Sequence, residues 1–255
     1  MTDPASQDFT DDTLLDGRVR LMQPAQGYRA AIDPVMLAAA IPAKAGETVL
    51  DLGCGAGAAA LCLAMRVDGC RITGIEAERG LVRLAGDNVV RNGLSDRVLI
   101  LAGDLSRPPQ RLEPGSFAHV MANPPYLAAG TATPSPVAGK AQANIEGEAD
   151  LAAWMRFALT MTRAKGSVTV IHRADRLENL LALLTGRAGE IVVFPLWSGA
   201  GKDAKRVIVR ARKGIASPTR MASGLVLHET DGRFTEAAQA VLRHGAALPI
   251  GTPQD

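Results

Sequence analysis

Asn123, Pro124, Pro125 and Tyr126 follow directly on the apolar run from Phe117 to Ala122, in the stretch "FAHVMANPPYLAAG". Two prolines end any strand, so a buried strand is carried outward and stopped there. These residue types suit one chemistry. An amide or exocyclic amino nitrogen is a poor nucleophile, because its lone pair is delocalised. Acceptors aimed at its hydrogens pull it toward tetrahedral geometry. The Asn123 side-chain oxygen is one acceptor, and the Pro124 carbonyl is another on a stiff backbone. Tyr126 adds a flat face on which a base or an amide can stack. Such a site needs no strong base, because orientation and electrostatics lower the barrier.

A second set of residues could hold a nucleotide cofactor. "VLDLGCGAGAAALCLA" reads as strand, glycine turn and helix. Gly53, Gly55 and Gly57 let the backbone pass close to a ligand, and the helix N-terminus offers free N–H groups. The turn also satisfies the loose dinucleotide pattern G-x-G-x-x-A, so by itself it leaves a nicotinamide-dependent oxidoreductase open. It also leaves open a tight turn with no ligand. Three carboxylates narrow the choice. Asp51, Glu76 and Asp104 end three successive strands and so face the ligand crevice of an open α/β sheet. Glu76 stands where an acid takes both hydroxyls of a ribose. Asp51 would sit poorly beside a pyrophosphate but suits a cationic ligand bearing an amino group.

These residues need a frame. Short apolar strands alternate with helices from "ETVLDLG" to "KRVIVRAR". That alternation predicts βαβ units, a mostly parallel sheet and helices on both faces. No helix separates the last two strands, "EIVVFPLW" and "KRVIVRAR", so they form a hairpin and one strand runs antiparallel. Residues 1–12 are polar and acidic and read as disordered. Residues 13–46 form a lead-in with a helix starting after Asp33, an expected N-cap followed by Pro34. The core spans 47–213. An extension of 214–255, with a short strand and a helix at "TEAAQAVLRH", packs on it. The irregular stretch from Leu127 to about Gly147 is long enough to suggest a functional or a mobile loop.

"VLDLGCGAG" with Glu76 and Asp104 resembles the first motifs of the class I S-adenosylmethionine-dependent methyltransferases. The resemblance covers roughly residues 46–213. It implies a Rossmann-like seven-stranded sheet whose last added strand is antiparallel. It implies S-adenosyl-L-methionine as cofactor, held by Asp51, Gly53, Gly55, Gly57, Glu76, Asp104, Leu105 and Asn123. The NPPY tetrapeptide looks like that of methyltransferases acting on planar nitrogens: adenine N6, guanine N2 or the glutamine amide. Carried over by position, Asn123 and Pro124 are the amine acceptors and Tyr126 the stacking residue. "QPAQGYRAAIDPVMLAAAIP" at 23–42 resembles the lead-in of the bacterial enzymes that methylate adenine N6 in the anticodon loop of valine tRNA. Release-factor glutamine methyltransferases share NPPY but carry a long helical domain first. Only about 45 residues precede the first core strand here. The expected activity is therefore methyl transfer to adenine N6 in a structured RNA, most simply tRNA. The alternatives are a protein glutamine, an rRNA guanine N2, or a non-catalytic RNA-binding module on the same fold.

Composition is consistent with this. The chain has 255 residues, 47% hydrophobic and 21% charged, with net charge +2. Global charge does not announce a nucleic-acid binder, so local clusters must be asked. Lys202, Lys205, Arg206, Arg210, Arg212 and Lys213 crowd the last strand pair, and Tyr28 and Arg29 stand in the lead-in. These are candidate RNA contacts, although cationic strand edges also prevent aggregation. Cys54, Cys62 and Cys70 read as reduced thiols packed as small apolar residues. No metal constellation, membrane span or signal peptide is visible, so the protein is expected to be cytoplasmic. Monomer and homodimer both remain open.

Overall fold

The structure is a computed structural model that describes residues 9–26, 29–105, 108–125 and 148–251, with 148–150 described for the backbone alone. Tyr28, Tyr126 and the 127–147 stretch lie outside the described residues.

The chain begins with an antiparallel hairpin, β1 (Phe9–Leu14) and β2 (Val19–Pro24). Then follow α1 (Ile32–Ala40), β3 (Thr48–Leu52), α2 (Ala58–Arg66), β4 (Arg71–Glu76), α3 (Arg79–Arg91) and β5 (Val98–Ala102). The second half runs β6 (Phe117–Ala122), α4 (Glu148–Met161), β7 (Thr162–Arg173) and, after a short 3-10 turn, α5 (Leu177–Leu184). It closes with β8 (Ala188–Trp197), β9 (Ala204–Lys213), the two-residue strands β10 (Arg220–Met221) and β11 (Leu225–Val226), and α6 (Glu236–Leu242).

The seven long core strands lie in the order β5-β4-β3-β6-β7-β9-β8, and β10 and β11 both add to β8. Every pair is parallel except those of β9, which runs antiparallel to β7 and to β8. The chain winds outward from β3 to β5, then returns to place β6 on the other side of β3. This reversal opens a crevice at the carboxyl ends of β3 and β6, where ligands bind in such sheets. Apolar side chains fill both faces. One cluster joins the hairpin, α1, α2, α3 and α6 to the sheet, and the other joins α4 and α5. All six residues of β6 are buried, as a central strand covered on both faces requires.

Two local expectations differ from what is seen. Residues 9–12, read as disordered, open β1. Their polar side chains are engaged: Thr10 donates to Asp12 at 2.6 Å, and Asp11 pairs with Arg91 on α3. Helix α1 begins at Ile32, its N-cap is Ala31, and no side chain caps it. Asp33 lies inside the first turn, and its carboxylate pairs with Arg206 of β9 at 3.0 Å. An acid there still complements the helix dipole, but an ion pair has taken the place of a cap. All three cysteines are free and buried. No helix among the described residues is long and apolar enough to cross a membrane.

Candidate active site

Three left-handed glycines make the turn between β3 and α2. Gly53, Gly55 and Gly57 have φ of 63, 56 and 88°, a region that favours glycine. At Gly53 space decides as well, because an added Cβ would lie 2.4 Å from the Trp154 ring of α4. At Gly55 that direction is open. The loop is pinned from outside. Gly55 N–H donates to Glu76 Oε2 at 2.9 Å, and Glu78 N–H donates to Oε1 of the same carboxylate at 2.9 Å. Glu76 is thus held at the end of β4 with acceptor capacity left over, since a carboxylate offers about four lone-pair positions.

Asp51 is one exception among the described residues to the rule that buried polar atoms are paired, Thr169 Oγ1 in β7 being another. Asp51 is 2% exposed. It accepts from the Ala60 N–H, one of the orphan donors in the first turn of α2. Its other oxygen, Oδ2, is buried without a partner. Burial, and then the charge of Glu76, push its pKa up to about 8. A buried acceptor without a donor is a demand for a ligand donor or a water. Asp104 is exposed two residues beyond β5, and Leu105 is partly buried against the second core cluster. The cradle therefore fits a cofactor with a sugar and a cationic amine: open glycine backbone, a fixed acid at Glu76, and an unsatisfied acid at Asp51.

Asn123 and Pro124 follow β6 immediately, next to β3 and its glycine turn. Asn123 is half-buried and Pro124 buried. His172, near the end of neighbouring β7, hydrogen-bonds to the Pro125 backbone. Proline has no N–H, so the imidazole is the donor to that carbonyl. Burial, then the Arg176 charge, push the His172 pKa down to about 4, so the ring is neutral near pH 7. The sequence by itself assigns His172 no role. The signal was its place at the end of the strand that neighbours β6, and register was needed to see it. Trp154 was likewise missed.

The basic residues do not form one stripe. Because β9 runs antiparallel, its start lies at the crevice and its end at the opposite edge. Arg206 stands opposite Arg173 at the crevice end, and Arg212 opposite Ser167 at the far end. Lys202 and Lys205 are exposed near the crevice. Arg210 is half-buried, and burial lowers its pKa. Arg212 pairs with Glu190 at 2.9 Å, and Lys213 donates to the Thr162 carbonyl at 2.8 Å. Arg29 is paired with Asp12 at 2.8 Å. Among the described residues no cluster of three or more His, Cys, Asp or Glu could hold a metal ion.

This sheet order, with its glycine turn, defines the class I methyltransferase fold, and the chain is a methyltransferase. The model of the Methyltransferase small domain matches residues 31–141. The likeness read from the lead-in and NPPY holds over most of the chain. A tRNA1(Val) (adenine(37)-N6)-methyltransferase of Aeromonas hydrophila is 25% identical over 210 residues, covering 82% of this chain and 86% of that one. A release factor glutamine methyltransferase of Gloeobacter violaceus is 37% identical over 83 residues, but these cover 32% of this chain and 28% of that one. Among solved structures, one described as a predicted O-methyltransferase from Agrobacterium tumefaciens superposes with a TM-score of 0.70. It is 24% identical, covering 85% of this chain and 98% of that chain.

Proposed function

We propose that the protein is a cytoplasmic enzyme that transfers a methyl group from S-adenosylmethionine to the N6 amine of an adenine in structured RNA, with tRNA as the substrate class. The observation that carries this is the position of Asn123 and Pro124 at the end of β6, beside the glycine turn of β3. The cofactor supplies an electrophilic methyl group on a sulfonium. Gly53, Gly55 and Gly57 would cradle it, Glu76 would take its ribose hydroxyls, Asp104 and Leu105 would border its adenine, and Asp51 would face its positive end. The Asn123 side-chain oxygen and the Pro124 carbonyl accept the two amine hydrogens. That would keep the nitrogen lone pair free to take the methyl group as its bond to sulfur breaks, with S-adenosylhomocysteine as the leaving group and the surplus amine proton passing to solvent. Neutral His172, donating to the Pro125 carbonyl, steadies the turn that presents these acceptors. Tyr126 stacks on the base.

Likeness over most of the chain to adenine N6-methyltransferases of tRNA supports RNA over protein. The glutamine reading rests on the short match to the release-factor enzyme, which is confined to about a third of this chain. Lys202, Lys205 and Arg206, with Tyr28 and Arg29 in the lead-in, would meet the RNA backbone; Arg210, Arg212 and Lys213 would not. The test is incubation of the purified protein with S-adenosylmethionine and unmodified tRNA, followed by nucleoside mass spectrometry. New N6-methyladenosine is expected. Methylation of release factor but not of tRNA would replace this reading with the glutamine one.

A further inference from the structure

The outer edge of β2 is paired with a helix. One edge of β2 bonds β1. On the other, Arg20 and Met22 present their N–H and C=O groups to α3. Asn88 accepts from Met22 N–H at 2.8 Å and donates to Met22 C=O at 2.8 Å. Asn92 does the same with Arg20, at 2.8 and 2.7 Å. The geometry is a matched repeat. Four residues of helix rise about 6 Å, and two residues of strand span about 6.7 Å. Two carboxamides at i and i+4 can therefore stand in for a neighbouring strand.

The two asparagines differ in one bond. Each amide has a second hydrogen to place. Asn92 spends it on its own helix, on the Asn88 carbonyl at 2.7 Å. Asn88 spends it on the carbonyl of Ala56, at 3.0 Å, in the middle of the glycine turn. Asn88 is fully buried, at 0% exposure. Ala56 lies between Gly55, whose N–H is held by Glu76, and Gly57, whose N–H donates to Cys54 at 2.8 Å. The hairpin leads into the strap before α1, where Gln23 accepts from Ala30 N–H at 2.8 Å and Arg29 pairs with Asp12.

We infer that Asn88 is a positioning residue, through which the seating of the N-terminal hairpin sets the geometry of the cofactor turn. Its carboxamide holds the Ala56 carbonyl and the Met22 backbone together, so neither moves without the other. The inference rests on the cofactor assignment made above. Two measurements test it. The first is titration calorimetry with S-adenosylhomocysteine, well below the melting temperature. Asn88→Ala leaves three backbone groups without partners and should weaken binding about tenfold, the cost of about one net hydrogen bond. Asn88→Asp keeps an acceptor for Met22 N–H but loses both donors, so it should weaken binding similarly, and it serves if the alanine variant does not fold. Asn92→Ala loosens the hairpin and spares the turn, so its affinity should stay within about twofold of the parent. Equal weakening by the Asn88 and Asn92 variants, or none at Asn88, overturns the proposal. The second measurement needs no cofactor: hydrogen exchange of the Gly55 and Gly57 amides. Faster exchange in the Asn88 variants alone is expected, and unchanged exchange overturns the proposal even if the protein binds no S-adenosylhomocysteine. A parent that binds none, with faster exchange at Asn88, would sink the cofactor assignment and leave the coupling standing.

Discussion

The two ends of the sheet hold similar residues in opposite states. At the end away from the crevice, His119 Nδ1 lies 2.8 Å from Ser167 Oγ, and Nε2 lies 3.1 Å from Glu47 Oε2. Arg163 closes the chain on Glu47 at 2.8 Å. A serine, a histidine and an acid in a row look like a nucleophilic triad. Ser167, however, is 4% exposed, and its partners use their bonds on one another. At the crevice end, Asp51 keeps a buried oxygen without a donor, and Glu76 holds the glycine turn with acceptor capacity to spare. The difference teaches how to separate structure from function here. A satisfied polar network fixes strands β3, β6 and β7 to one another, and an unsatisfied one is built for something that is not protein.

Mutation should break the two ends in different currencies, with the largest effect at the crevice. Asn123→Ala removes one of two acceptors from the reacting nitrogen. Turnover should fall by about a hundredfold or more, the scale for losing one preorganised polar group at a reacting centre. Affinity for S-adenosylhomocysteine should change by less than about threefold. Parallel loss of both would show that Asn123 holds cofactor and does not activate the amine. His119→Ala is the counterpart. It strands the Ser167 hydroxyl and one face of Glu47, and should cost about 1–3 kcal/mol of stability. Turnover at a temperature where it stays folded should equal that of the parent. A loss of turnover there would reopen the triad as a site.

Much of this contrast was legible in sequence, and the missing part has a physical cause. The alternation of strands and helices marked the parallel sheet, and the helix-free pair β8 and β9 marked its antiparallel strand. Strand ends placed Asp51, Glu76 and Asn123 at one crevice, because carboxyl ends of parallel strands share a side. What sequence could not supply was partnership. The "VRARKG" stretch reads as one basic patch, yet antiparallel β9 sends Arg206 and Arg212 to opposite edges. Asp33 looked like a helix cap until Arg206, 173 residues away, proved to be its partner. Asn88 and Asn92 carried no signal at all, since two asparagines on a helix mark a strand substitute only when a strand edge lies beside them. The hairpin was missed for a related reason, because its acidic start reads as solvated until Arg91 and Arg29 are found opposite it.

A third effect sharpens the comparison through pH, and the signs are opposed. Asp51 has a folded pKa of about 8 against an ordinary 3.8. The folded state binds its proton more tightly, so the stability Asp51 contributes is complete below about pH 4 and lost as pH rises through 8. His119 is pushed below its ordinary 6.5, first by burial. Its contribution is complete above pH 6.5 and is lost as pH falls. His172, pushed down to about 4, shares the sign of His119. In cofactor-free protein, thermal unfolding of Asp51→Asn compared with the parent isolates the first term. The gap should grow in favour of the variant from pH 5 to 8, by at most about 1.4 kcal/mol per pH unit. A constant gap would mean that Asp51 is already ionised and paired in solution.

The smallest effect concerns charge on the two halves of the last strand pair. Lys205 is exposed at the crevice end, and Lys213 is tied to the Thr162 carbonyl at the far end. Arg206 and Arg29 are already engaged by Asp33 and Asp12, so the exposed lysines have more freedom to meet a phosphate. If RNA lies across the crevice, each phosphate contact releases counterions, and the logarithm of affinity falls linearly with the logarithm of salt concentration. Lys205→Ala should reduce that slope by about 1 and weaken binding of all tRNAs alike, since phosphate contacts carry no sequence choice. Lys213→Ala should leave the slope unchanged and lower the melting temperature slightly, through the lost Thr162 contact. Filter binding of unmodified tRNA at three or four salt concentrations separates them. Equal slopes for both variants and the parent would place the RNA on another face of the protein, and a smaller slope for Lys213→Ala would mean that the backbone path runs along the whole strand to the far edge.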